Sequence, residues 1–199
     1  PPKLLAIALI FGCWGLYGVI LSAIGKGSLN SRLYVARKRW MGVMQSEPRE
    51  NRVFDAILLG HISSSVSFFG SATLLVLAAL VGKLANARAL HIVAMEHKFL
   101  GEMSVGLFAL YLFVVTAILA GCFFSFVYAL RKLAYTFALI GGLGAAVENS
   151  GESRIMIAST ATVLTEAIKN FNNGIRGYYF AIAALFLFMG PYVCMAVTV

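Results

Sequence analysis

Charge is what this sequence has least of. Only 12% of its 199 residues are Asp, Glu, Lys or Arg while 60% are hydrophobic, and a chain so poor in ions cannot surround a core of this size with a water-loving surface. Sulfur chemistry is equally thin. Cys13, Cys122 and Cys194 each stand alone inside an apolar stretch, without the paired spacing of a zinc site or a disulfide framework, so they read as small packing residues. Of the three histidines, His61 alone falls inside a long apolar run, which excludes a haem held by two axial histidines of this chain. Gly141-Gly142-Leu143-Gly144 lacks the spacing of a dinucleotide fingerprint. No nucleophile with a base, carboxylate pair or open metal site emerges, so we read the chain as non-enzymatic and without a cofactor.

What the sequence has instead is long apolar runs divided by basic loops. Residues 4–24 carry no charge, and such a run, rising about 1.5 Å per residue, crosses the roughly 30 Å hydrocarbon of a bilayer. It is too long, and lacks the small-residue cleavage site, for a removable signal. Residues 56–81 form a second uncharged run and 103–130 a third, and 175–199 form a fourth apolar run whose one charge is Arg176 near its start. The spacing of Gly15, Gly18, Ser22 and Gly25 puts small residues on one face of the first span, as close helix approach in lipid requires. Within the second, His61, Ser63, Ser67 and Ser71 begin a polar row, which serves either helix packing, with hydroxyls bonded one turn back, or a polar pathway. Ala117, Gly121 and Ser125 make a small face on the third.

Between the spans, Leu29, Leu33, Ala36, Trp40 and Met44 recur with helical period beside Arg32, Lys38 and Arg39, so residues 28–46 read as an amphipathic helix at a membrane surface. Arg37, Lys38, Arg39 and Trp40 on it, with Arg49 and Arg52 just after it, are the candidate contacts to lipid headgroups or a partner. Residues 132–147, apolar but short, and 154–171, ended by Asn170, Asn172, Asn173 and Gly174, read as two further helices on the same side. Residues 82–102 read as a polar connection, where His91, Glu96 and His97 do not share a helix face as metal ligands would.

Twelve of the sixteen Lys and Arg fall in the loops 25–55 and 131–176, the others being Lys3, Lys83, Arg88 and Lys98. Cations gather on the cytosolic side. The expectation is therefore an all-α integral membrane four-helix transmembrane bundle, a single domain over 1–199, in the inner membrane, with cytosolic amphipathic helices and both termini outside. The net charge of +8 is then assigned to anionic headgroups rather than to nucleic acid.

Against this frame a family resemblance becomes specific. Ala36-Arg37-Lys38-Arg39-Trp40 with Met44, Arg52 and Asp55 leading to Phe68-Phe69-Gly70-Ser71-Ala72-Thr73-Leu74-Leu75, Ala129-Leu130-Arg131, and Gly174-Ile175-Arg176-Gly177-Tyr178-Tyr179-Phe180 before Gly190-Pro191 resemble, in this order, domain-of-unknown-function family 599 of bacteria and plants. The resemblance implies a multi-span bundle and no residue roles. On the residues themselves, the leading expectation is a structural, accessory or assembly subunit of an inner-membrane complex, associating with other subunits or with copies of itself. The alternative is a small channel or transporter for an anion, with the hydroxyl row of the second span along its path.

Overall fold

In the computed structural model, which describes residues 2–24, 29–46, 48, 52–96, 103–143 and 151–198, the chain is helical and contains no strand among those residues. The helices are α1 (Pro2–Ile24), α2 (Leu29–Ser46), α3 (Val53–Ala85), α4 (Ala87–Glu96), α5 (Val105–Gly142), α6 (Gly151–Leu185) and α7 (Pro191–Thr198), with a 3-10 turn at Phe186–Phe188. Two of them, α3 and α5, are long and apolar enough to cross a membrane, whereas residues 2–17 of α1 form a shorter apolar helix. At about 1.5 Å per residue these two exceed the roughly 30 Å of hydrocarbon by some 20 Å or more.

Four boundaries differ from expectation. The connection 82–102 contains α4, whose first turn is closed by the Leu90 amide donating to the Asn86 carbonyl at 3.2 Å; burial of Ala87 and the packing of His91 on Phe108 hold it there. Helix α5 runs through Arg131-Lys132 as far as Gly142, so residues 132–142 are its continuation rather than a separate helix. Residues 144–147 lie outside the described residues. Helix α6 passes through Asn170–Gly174 unbroken, because the propensity penalty of about 1 kcal/mol for a helical glycine is overridden by tertiary packing of the buried Gly174. The expected last span 175–199 is interrupted instead at Phe186–Gly190. There Gly190 adopts φ 146°, open only to glycine at low cost, and Pro191 starts α7. The Cys194 thiol of α7 reaches back to the Ala183 carbonyl at 3.4 Å.

Two compact units divide the helices. One comprises residues 1–21, 71–124 and 173–199, the other 22–70 and 125–172. In the first, α5 supplies a buried row of Phe108, Tyr111, Val115, Ile118 and Cys122 at helical spacing. The rings of Phe108 and Tyr111 meet Phe188 edge-on at 5.3 and 5.6 Å, and the hydroxyls of Thr73 and Tyr178 join α3 to α6. In the second, Phe69 of α3, Phe126 of α5 and Phe171 of α6 form a three-way aromatic core with centroids 5.7 to 5.9 Å apart.

Candidate functional site

The basic arm that the sequence marks for external contact lies in the second unit and turns half of itself inward. Arg37 points its guanidinium at α6, where Nη1 donates to Thr165 Oγ1 at 3.2 Å. Burial depresses its pKa from the ordinary arginine value, yet an arginine stays cationic throughout the accessible range. Trp40 Nε1 donates to Asp55 Oδ1 at 2.7 Å, tying α2 to the first turn of α3. Arg52 reaches two helix ends at once: Nη1 donates to the Leu143 carbonyl beyond α5 at 2.7 Å and Nη2 to the Gln45 carbonyl in the last turn of α2 at 3.5 Å. Carbonyls at helix C-termini lack intrahelical donors and carry partial negative charge, so a cation there satisfies both needs. Lys38 and Arg39 are exposed. Arg49 lies outside the described residues.

The inward face of α2 keeps only the end of the expected stripe, half-buried Trp40 and buried Met44. Met41 and Met44 are buried, while Leu33 and Val35 are exposed and Ala36 faces outward with them. Hydrophobicity alone marks out the stripe from Leu29 to Met44. The actual inward face also accommodates Arg37, because Thr165 receives it, and Gln45, which bonds Ser153. Beside this contact Lys132 Nζ of α5 pairs with Glu166 Oε2 of α6 at 2.5 Å. The sequence held a signal for that pair: Glu166 is the only charge between 155 and 168, and an isolated carboxylate in an apolar stretch calls for a cation. Nothing comparable announces Thr165, Ser153 or the Leu143 carbonyl.

The polar row of α3 is not gathered inside the chain. Leu59, Val66, Gly70, Thr73 and Leu77 make the buried stripe of this helix, whereas His61, Ser67 and Ser71 are exposed and Ser63 is half-buried. The Ser65 hydroxyl donates to the His61 carbonyl at 2.9 Å, one turn back. Only 17% of the apolar window of α3 is buried, against 50% for α5. On α1, Gly15 is exposed, with open space where a Cβ would stand; the side chains at Gly18 and Ser22 lie outside the described residues. Trp14, which the sequence did not single out, does fill a small face: a Cβ added at Gly121 would meet its ring at 2.6 Å, and one at Gly177 would meet both that ring and the Cys122 sulfur. Its ring also lies 6.5 Å from that of Phe180.

His91 is committed to structure. Its Nε2 is 2.8 Å from the Met103 carbonyl, and its ring meets Phe108 edge-on at 5.5 Å. The Glu96 side chain and His97 lie outside the described residues, among which no group of three His, Cys, Asp or Glu is placed to hold a metal.

Comparison with known proteins gives one match. A family model described as Protein of unknown function, DUF599, covers residues 5–199, nearly the whole chain. No curated protein matches, and no solved structure does.

Proposed function

The chain belongs to that family, and from this premise we propose that it is a non-enzymatic, self-associating subunit of an inner-membrane protein assembly. In this reading it makes four crossings, with α1 and the second half of α6 joining α3 and α5, its cation-rich loops cytosolic and both termini outside. The gathering of twelve of sixteen Lys and Arg in two loops supports that orientation. Exposed Arg32, Lys38 and Arg39, beside exposed Leu33 and Val35, suit α2 to anionic headgroups.

The observation that carries self-association is the outward side of α3. Gly60, Ser64, Ser67 and Ser71 are all exposed at four-three-four spacing, and Gly60 has nothing within 4 Å of an added Cβ. Small and hydroxyl residues at this spacing let a second helix approach closely in lipid and give its backbone hydrogen-bond partners. Single cysteines placed at 64, 67 or 71, in a chain with Cys13→Ala, should form disulfide-linked dimers on mild oxidation in native membranes. Cysteines at the buried Val66 and Thr73 should not. Monomers at every exposed position would end the self-association reading.

A small anion conduit is the second reading, and the same row favours it: between copies, Ser67 and Ser71 would line a shared axis. Proteoliposomes carrying the cross-linked dimer decide between the two, since the assembly reading expects no anion flux above that of empty vesicles.

A further inference from the structure

Helix α4 joins the two long apolar helices, and one side of it is left bare by the described residues. A single residue, Asn86, separates it from α3, and in its middle His91 Nε2 lies 2.8 Å from the Met103 carbonyl while the ring meets Phe108 in the first turn of α5. The helix is therefore pinned twice. Ala87 is buried and Leu90, His91, Ala94 and Met95 are half-buried, which marks the covered side. Helical period sets Ala89 and Val93 opposite His91 with Ile92 beside them, and there Ile92 is 56% and Val93 51% exposed. Arg88 is exposed at their edge.

Charges on the neighbouring helices set the depth of α4. Asp55 stands in the first turn of α3 and Lys83 in the last, and the 27 residues between them carry no Asp, Glu, Lys or Arg. As helix they extend about 40 Å, more than the roughly 30 Å of hydrocarbon, so both charges can stand outside it. On α5, Phe108 and Arg131 are 23 positions apart, about 35 Å along the axis. With Arg131 at one edge of the hydrocarbon, Phe108 stands about 5 Å past the other, within a headgroup layer about 5–7 Å thick. Helix α4, tied to Phe108, lies at that level.

We propose that α4 is an interfacial helix, which sinks Ala89, Ile92 and Val93 into the boundary between headgroups and acyl chains of the leaflet opposite the cation-rich loops. Arg88 stays among the headgroups. A short helix with one apolar side and a cation at its edge settles there because the apolar side leaves water while the charge does not enter hydrocarbon. The bilayer is the occupant of this side because α4 is joined at both ends to helices that cross it and lies at its surface, so the lipid is already in place. Seated so, α4 fixes how far the α3 and α5 pair rises from that surface. The proposal rests on the membrane reading given above, and a separate label tests that reading.

The test attaches an environment-sensitive fluorophore to Arg88→Cys, Ile92→Cys or Val93→Cys in the full chain carrying Cys13→Ala, reconstituted in phosphatidylcholine vesicles, with the signal of the Cys13→Ala parent subtracted. Phe124→Cys, at a position of α5 that is 58% exposed and seven residues from Arg131, is the membrane control. Acyl chains brominated just below the headgroups should remove most of the emission at positions 92 and 93, and iodide on both sides of the vesicle should leave it unchanged. At position 88 iodide should quench and the brominated chains should not. All of these side chains are exposed, so the fold tolerates the labels; circular dichroism checks this, and positions 92 and 93 stand as independent measurements. Quenching of 92 and 93 by iodide but not by brominated lipid would put this side in water and overturn the proposal. Shielding from both quenchers would mean that a second copy or another protein covers it, and would overturn it equally. If chains brominated near the bilayer centre fail to quench Phe124→Cys, the membrane reading fails; if they quench it while 92 and 93 ignore brominated lipid, only the placement of α4 fails.

Discussion

Replacing Gly177 by Ala tests the packing at the centre of the first unit. The new methyl group would meet the sulfur of Cys122, which is fully buried, and would stand 3.3 Å from the Trp14 ring. Neither neighbour retreats freely. Trp14 is already lodged against Gly121, and the Cys122 sulfur can only exchange one packed rotamer well for another. Alanine gains about 1 kcal/mol over glycine in helix propensity, while an extra methyl forced into a filled core costs about 1–3 kcal/mol. Two obstructing neighbours place the cost in the upper part of that range, for a net loss of about 1–2 kcal/mol. In a chain of this length that lowers Tm by about 2–8 °C. Thermal unfolding in a mild detergent, followed by circular dichroism, measures it. Gly12→Ala is the internal control, because nothing lies within 4 Å of a Cβ there; its Tm should hold or rise. Repeating Gly177→Ala in a Cys122→Ala background should recover at least about 0.5 kcal/mol, the coupling expected of residues in contact. A Gly177→Ala protein as stable as Gly12→Ala, or a cycle with no coupling, would refute the steric argument.

Three further outcomes follow from the second unit. Arg52→Gln should cost about 1.5–3 kcal/mol, the range for hydrogen bonds to charged groups, and should speed amide exchange near Gln45 and Leu143, whose carbonyls it serves. Trp40→Phe removes the donor to Asp55 and should destabilise by about 1–3 kcal/mol, the penalty of an abandoned partner, whereas Asp55→Asn keeps an acceptor oxygen and should cost less; equal losses would contradict the assigned bond. The Lys132–Glu166 pair has side chains 34% and 45% exposed, so a double-mutant cycle should return at most about 1 kcal/mol and should shrink in high salt.

The two anchors of α2 explain why its orientation was hidden from the sequence. A hydrophobic stripe through Leu33, Ala36 and Trp40 is legible in one dimension, but the side of the helix that meets its neighbours is marked by Arg37 reaching Thr165, 128 positions away, and by Trp40 reaching Asp55, while Leu33 and Ala36 are left exposed. Contacts of such separation leave no periodic trace. The polar row of α3 was legible as a row, and its outward aim was not. Which side of a helix is covered depends on where its neighbours stand, and here Leu59, Val66 and Thr73 meet them first. Among the sites, Glu166 alone announced its need of a partner.

Length and apolarity are sums over neighbouring residues, and the sequence by itself was enough for what depends on them: a helical chain, long apolar helices around 56–81 and 103–130, and membership in its family through ordered short motifs. Tertiary structure decided the rest. It carried α6 straight through Asn170–Gly174, broke the helix after Leu185, and chose which cations turn inward. Each of those outcomes balances a local preference of about 1 kcal/mol or less against packing and hydrogen bonds made to residues far along the chain, and the distant partners prevail.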